Sequence, residues 1–84
     1  EFLAILPETD EAGAVMLLER LCAKMKNTDV NPNGTPVTLT LSIGIAMLHP
    51  DDTIETLVRR ADEAMYQAKD EGRDRIHVAT DPAA

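Results

Sequence analysis

The pattern that most constrains this fold is a strict alternation of large and small residues over positions 37–47. Every second position carries a large apolar side chain, and the positions between carry Thr, Ser, Gly or Ala. A period of two predicts a β-strand with one bulky face and one small face. The small face would let a helix or a ligand approach closely, although an ordinary half-buried strand explains the same pattern.

A first amphipathic helix is predicted ahead of this strand. Thr9 or Asp10 would cap it, and it would run to about Asn27. Its apolar residues have the spacing of one buried helix face: Ala14, Leu17, Leu18, Leu21, Cys22 and Met25.

A second helix is predicted after the strand, where Asp51 or Asp52 would cap it. Apolar residues keep helical spacing for four turns over residues 54–68. Residues 27–36 between the first helix and the strand are rich in Pro, Asn and Gly, which is typical of a surface loop.

Two further segments have the length of short strands. Residues 2–6 are apolar on both faces and end at Pro7, which predicts a strand covered from both sides. Residues 76–79 predict a final strand. The order strand, helix, strand, helix, strand favours an α/β layer arrangement, with helices that cross between the strands and pack on the sheet.

Composition limits the partners of the chain. Its 84 residues include 8 basic and 15 acidic side chains, for a net charge of −7. This charge argues against nucleic acid or an anionic membrane surface as a partner, so an anionic ligand must be held locally. No apolar run approaches the roughly 20 residues of a membrane-spanning helix. Cys22 has no partner for a disulfide, which fits a reducing compartment.

A local anion site is predicted where the second helix ends. Lys69 and Arg73 are four residues apart, and Gly72 between them would let the chain turn. Cations near a helix C-terminus also offset the partial negative charge of unpaired carbonyls, and on spacing alone this explanation is the better one. The two histidines, His49 and His77, have no ligand partners at metal-binding spacing, so a zinc site is not expected.

Three segments of the chain resemble the C-terminal part of a GGDEF domain, the diguanylate cyclase family. EFLAILPETD resembles the end of the signature motif and the residues after it, LTLSIGIA resembles the next strand, and RRADEAMYQAKDEGRDRI resembles the final helix and turn. The resemblance implies an α+β, nucleotide-cyclase-like fold, in which helices pack on a mixed sheet. It implies that residues 1–79 are the C-terminal portion of such a domain and that residues 80–84 are a flexible tail.

The resemblance also implies roles for individual residues. Lys69 and Arg73 match cations that contact GTP phosphates, and Glu1 matches a carboxylate that coordinates Mg²⁺ or Mn²⁺. Arg20 matches a position that binds cyclic di-GMP at an inhibitory site in some members. Asp74 stands where the family often has Asn, which predicts a local change in hydrogen bonding.

The implied reaction condenses two GTP into cyclic di-GMP with release of pyrophosphate, in a homodimer. The remaining motif positions, including the catalytic acid, are expected ahead of Glu1, so the chain alone is expected to be inactive. A degenerate GGDEF domain that binds nucleotide or dimerises as a regulator is the alternative. The resemblance implies a cytoplasmic domain, also where the parent protein is anchored to a membrane. It further implies a sensory or phosphodiesterase domain elsewhere in the parent chain.

Overall fold

The computed structural model describes residues 3–4, 6–27, 34 and 39–80. Within these residues the chain forms two helices and two strands, in the order helix, strand, helix, strand. Helix α1 spans Glu11–Lys26, strand β1 spans Ser42–Ile45, helix α2 spans Ile54–Asp70 and strand β2 spans Arg75–Val78. The α+β class predicted from the sequence is confirmed.

The strand–helix–strand unit of β1, α2 and β2 is the centre of the fold. Strands β1 and β2 are parallel, and Ser42 pairs with Arg75 while Ile45 pairs with Val78. Parallel neighbours need a crossover connection, and α2 supplies it. A mixed sheet was predicted, and its two described strands run parallel.

The small face of β1 is the surface on which α2 packs. A Cβ built on Gly44 would lie 2.1 Å from the carbonyl oxygen of Ala61 and 2.3 Å from the backbone nitrogen of Met65. Such distances leave no room for any side chain, so the backbones of strand and helix are in direct contact. Of the two explanations for the small face, close approach of a helix is the one that the structure supports.

The buried residues are few and small. Among the described residues, the apolar side chains classed as buried are Ala14, Ile45, Ala64 and Ala68. Two of these lie on the face of α2 that the sequence pattern predicted to be buried, and this helix is the best packed element.

Helix α1 packs less fully than its pattern predicted. Asp10 caps it by accepting a hydrogen bond of 2.7 Å from the Gly13 N–H, as one of the two predicted caps. On its predicted buried face, however, Leu17 and Leu21 remain 48% and 43% exposed. Ala14 on the same face is buried, so the predicted buried face is confirmed there and is wrong at the two leucines. The described strands offer α1 too little surface to cover them.

The cap of α2 differs from the prediction. Thr53, and neither Asp51 nor Asp52, is the N-cap, and it forms a reciprocal capping box with Thr56. Asp52 cannot serve as the cap because its carboxylate is bound to Arg60 and to the Thr56 hydroxyl. The apolar residue Ile54 that begins the helix is 82% exposed.

Strand β1 is shorter than the alternating pattern that predicted it. Leu39, Thr40 and Leu41 lie outside the strand, as do Ala46 and Met47, while residues 37 and 38 are outside the described part of the chain. Continued pairing toward the start of β1 would need Arg73 and Asp74 opposite Thr40 and Leu41. Both have positive φ, so β2 cannot extend there.

The first predicted strand, over residues 2–6, is not seen in the residues that can be assessed. Leu3, Ala4 and Leu6 lie outside any strand, and Leu3 is 68% exposed, whereas residues 2 and 5 are outside the described part. No described strand pairs with this segment, and an unpaired extended segment lacks the hydrogen bonds of a sheet. The final strand is confirmed, one residue earlier than predicted.

Candidate anion-binding turn

The turn that ends α2 is a Schellman motif. The Arg73 N–H donates to the Ala68 carbonyl at 2.9 Å, and the Gly72 N–H donates to the Lys69 carbonyl at 3.3 Å. These two bonds satisfy carbonyls that a helix end would otherwise leave unpaired. Gly72 has a φ of 119°, a conformation that side chains disfavour, which is why the sequence needs a glycine here.

The backbone continues through two more residues of positive φ, Arg73 at 62° and Asp74 at 49°. Such values are uncommon for residues with a side chain. The Arg73 carbonyl accepts a hydrogen bond of 3.0 Å from Nε of Arg75. The amide and the carbonyl of Arg73 are therefore both bonded. Within the described residues its guanidinium forms no hydrogen bond or ion pair, which leaves it available to a ligand.

Lys69 lies in the last turn of α2, on the other side of Gly72. Its Nζ is 5.2 Å from the centroid of the Tyr66 ring, a cation–π contact that orients the side chain without neutralising it. Lys69 therefore lies in the last turn of α2 and Arg73 in the turn that follows, at the same end of the helix.

Asp74 connects this turn to α1. Nζ of Lys26 in the last turn of α1 lies 2.6 Å from Oδ2 of Asp74. The side chains are 43% and 36% exposed, so the ion pair lies at the surface. The Asp74 carboxylate therefore has a charged partner on α1.

The comparison with known families decides what kind of domain carries this turn. A model of the GGDEF domain, described as diguanylate cyclase, GGDEF domain, matches residues 1–75. The chain belongs to the GGDEF family.

Several named relatives support the same assignment. Diguanylate cyclase DgcP of Pseudomonas aeruginosa is 39% identical over 79 residues, which cover 94% of this chain and 12% of DgcP. Diguanylate cyclase DosC of Escherichia coli K12 is 37% identical over 79 residues, 93% of this chain and 17% of DosC. Diguanylate cyclase A of Treponema denticola is 30% identical over 80 residues, 94% of this chain and 22% of the relative. The chain spans less than a quarter of the length of each.

Two other site residues, Arg20 and Glu1, were predicted for this GGDEF chain. Arg20 is exposed on α1, and no described contact gives it a role. Glu1, the predicted metal ligand, lies outside the described residues. The described residues contain no group of three or more His, Cys, Asp or Glu side chains that could hold a metal ion. The role of Glu1 as a metal ligand stays a prediction.

Sequence reasoning missed the residues that support the turn. Arg75 bonds to the Arg73 carbonyl, and its guanidinium lies 3.0 Å from where a Cβ of Gly72 would be. Lys26 is far from the turn in sequence, so nothing in the local pattern indicated its contact with Asp74. Arg75 could have been found as the third cation in the short segment that begins at Lys69.

A second ion pair, between Asp52 and Arg60, lies at the end of the sheet opposite to the turn. The Asp52 carboxylate is 1% exposed and accepts hydrogen bonds from Arg60, from the His49 N–H at 2.9 Å and from the Thr56 hydroxyl at 2.8 Å. Arg60 also donates to the Met47 carbonyl at 2.8 Å, just beyond β1. Burial raises the pKa of Asp52, but these hydrogen bonds and the charge of Arg60 outweigh it and lower the pKa to about 2. The pair connects α2 to the segment that follows β1.

No helix in the described part of the chain is both long and apolar enough to cross a membrane.

Proposed function

We propose that this chain is part of a diguanylate cyclase, which condenses two GTP into cyclic di-GMP and releases pyrophosphate. The observation that carries the proposal is the likeness to proteins named as diguanylate cyclases along 93% to 94% of the chain. In this reaction a ribose hydroxyl of one GTP attacks the α-phosphorus of the other, and pyrophosphate leaves. A second, equivalent attack closes the ring.

In this proposal Lys69 and Arg73 bind the triphosphate of GTP. An Arg guanidinium offers a planar fork of donors that matches phosphate oxygens, and a Lys ammonium adds a mobile point charge. The backbone bonds around Arg73 support the proposal, because they fix the residue while its guanidinium has no partner within the described residues. Local cations of this kind are needed, since the chain as a whole carries a net charge of −7.

Glu1 is proposed as one ligand of Mg²⁺ or Mn²⁺. A carboxylate oxygen is the ligand that these hard cations prefer. When bound, the metal would neutralise triphosphate charge and lower the pKa of the attacking hydroxyl. The remaining ligands and the catalytic acid are proposed to lie ahead of Glu1. For this reason we propose that the 84 residues alone do not turn over GTP.

Catalysis is proposed to need a homodimer, because each domain brings one GTP to a shared reaction. The cytoplasm is the proposed location of the domain, since GTP is found there. A sensory or phosphodiesterase domain is proposed elsewhere in the parent chain, whose relatives are much longer than this segment.

The test uses the full-length protein that contains this chain. Purified protein is incubated with GTP and Mg²⁺, and nucleotides are separated by chromatography. Cyclic di-GMP and pyrophosphate should appear, and chelation of the metal should stop their formation. Absence of product from a folded, dimeric protein with metal and GTP would overturn the proposal.

The alternative is a degenerate GGDEF domain that binds GTP or dimerises as a regulator. Calorimetric titration with GTP separates the two, because a regulator binds GTP or self-associates without forming product. The residues that precede Glu1 give a second criterion: Gly, Gly and an acidic residue favour the enzyme, and other residues favour the regulator.

A further inference from the structure

We propose that Lys26 is a positioning residue for the triphosphate: it holds the Asp74 carboxylate against α1 and so keeps this anion off Arg73. The inference rests on the proposed function. Lys26 belongs to α1, whereas Lys69 lies in α2 and Arg73 lies in the turn after α2. Lys26 is also outside the three segments that carry the family resemblance.

The proposal is based on the ion pair between Asp74 and Lys26. Asp74 lies between Arg73 and Arg75 in the sequence, yet among the described residues its carboxylate pairs only with Lys26, at 2.6 Å. The guanidinium of Arg75 is used elsewhere, because its Nε donates to the Arg73 carbonyl. Lys26 is thus the single described cation that neutralises Asp74.

The surroundings of the pair show that Asp74 faces α1. Lys26, Cys22 and Glu19 of α1 line one side of a groove of about 540 Å³, and Asp74 and Arg75 line the other. Burial raises the pKa of the Cys22 thiol, and the nearby negative charge of Asp74 raises it further. The carboxylate is therefore close to two successive turns of α1.

Loss of Lys26 would release an anion next to the phosphate-binding cation. A free Asp74 carboxylate could pair with the neighbouring guanidinium of Arg73, which GTP would then have to displace. It would also repel the triphosphate directly. Both effects weaken GTP binding, and neither touches the reacting atoms. The expected signature is a higher KM with an unchanged kcat.

The test compares variants of the full-length protein by steady-state kinetics with GTP. Exposed ion pairs are weak, so Lys26→Ala should raise KM by a factor of about 2 to 5. Lys26→Arg keeps the charge and should keep the KM. Arg59→Ala, which removes another exposed cation from outside the turn, is the control and should leave KM unchanged.

The decisive variant is Lys26→Ala combined with Asp74→Asn. If Lys26 acts only by pairing with the Asp74 carboxylate, Asp74→Asn removes the need for the lysine. The KM of the double variant should then equal the wild-type value. A double variant as impaired as Lys26→Ala alone, or a Lys26→Ala variant with normal KM, would overturn the inference. A wild-type protein that neither turns over nor binds GTP would overturn the proposed function itself, and the role of Lys26 with it.

Discussion

Gly44 of β1 lies in direct contact with the backbone of Ala61 in α2, closer than any side chain would allow. A Cβ at Gly44 would be 2.1 Å from the Ala61 carbonyl oxygen. Because this neighbour is backbone, it cannot rotate away. Helix α2, which carries Lys69 and leads into the turn with Arg73, therefore packs on the sheet in direct backbone contact at this glycine.

Gly44→Ala should destabilise the domain by about 3 kcal/mol or more. This is at or above the upper end of the cost of adding a methyl group to a packed core, because α2 must move as a whole. Urea unfolding of the purified protein measures the change. Gly13→Ala is the control. There a Cβ would meet only side-chain atoms of Thr9 and Asp10, at 3.0 Å or more, and the expected change is within about 1 kcal/mol. Equal effects of the two substitutions would contradict the close packing at Gly44.

Asp52 should make the stability of the domain sensitive to acid. Its pKa is lowered from an ordinary value of 3.8 to about 2 in the folded state, so the folded state binds a proton less readily than the unfolded state. The stabilising contribution is present above a pH of about 4 and is lost as the pH falls from about 4 to about 2.

Unfolding midpoints measured between a pH of about 2 and about 5 test this expectation. Asp52→Asn should lower stability at the upper end of this range, because it leaves the Arg60 charge poorly compensated, and the deficit should shrink toward the lower end. Asp51→Asn, at a carboxyl that is 83% exposed, is the control and should change stability little. A deficit that stays constant with pH would show that Asp52 does not titrate with folding.

Gly72 should be required for the shape of the turn. Gly72→Ala forces a side chain into a backbone with a φ of 119° and should cost about 1 kcal/mol. Gly72→Asn should cost less, since Asn tolerates positive φ better than Ala. Hydrogen exchange of the Arg73 amide, which bonds to the Ala68 carbonyl, should speed up in the same order. Similar exchange in wild type and Gly72→Ala would argue against a Schellman turn in solution.

Arg73 should contribute to GTP binding more than Lys69 does. Arg73→Ala should raise the KM of the full-length protein for GTP about tenfold or more, the usual scale for hydrogen bonds to a charged group. Arg73→Lys should have a KM between those of the wild type and Arg73→Ala, because Lys keeps the charge but lacks the planar fork of donors. Lys69→Ala should have a smaller effect, since its ammonium is shared with the Tyr66 ring. A KM unchanged in all three variants would exclude the turn from GTP binding.

The helices were predicted well because their signals are local. Asp10 and the apolar spacing of α1 and α2 depend on residues within a few positions of one another. The N-cap of α2 was wrong by one position, since Asp52 forms a long-range pair with Arg60 that local pattern cannot reveal. The predicted ends of β1 were also wrong, because the length of a strand depends on the strand with which it pairs.

The sequence by itself determined the family, the two helices, the small face of β1 and the glycine between Lys69 and Arg73. Each of these depends on residue type and short spacing, which determine backbone preference and amphipathic pattern. Only the tertiary structure decided that α2 covers the small face at Gly44, that β2 ends the pairing of β1, and that Lys26 of α1 reaches Asp74. These contacts join residues that are distant in the chain, and their geometry exists only once the elements pack together.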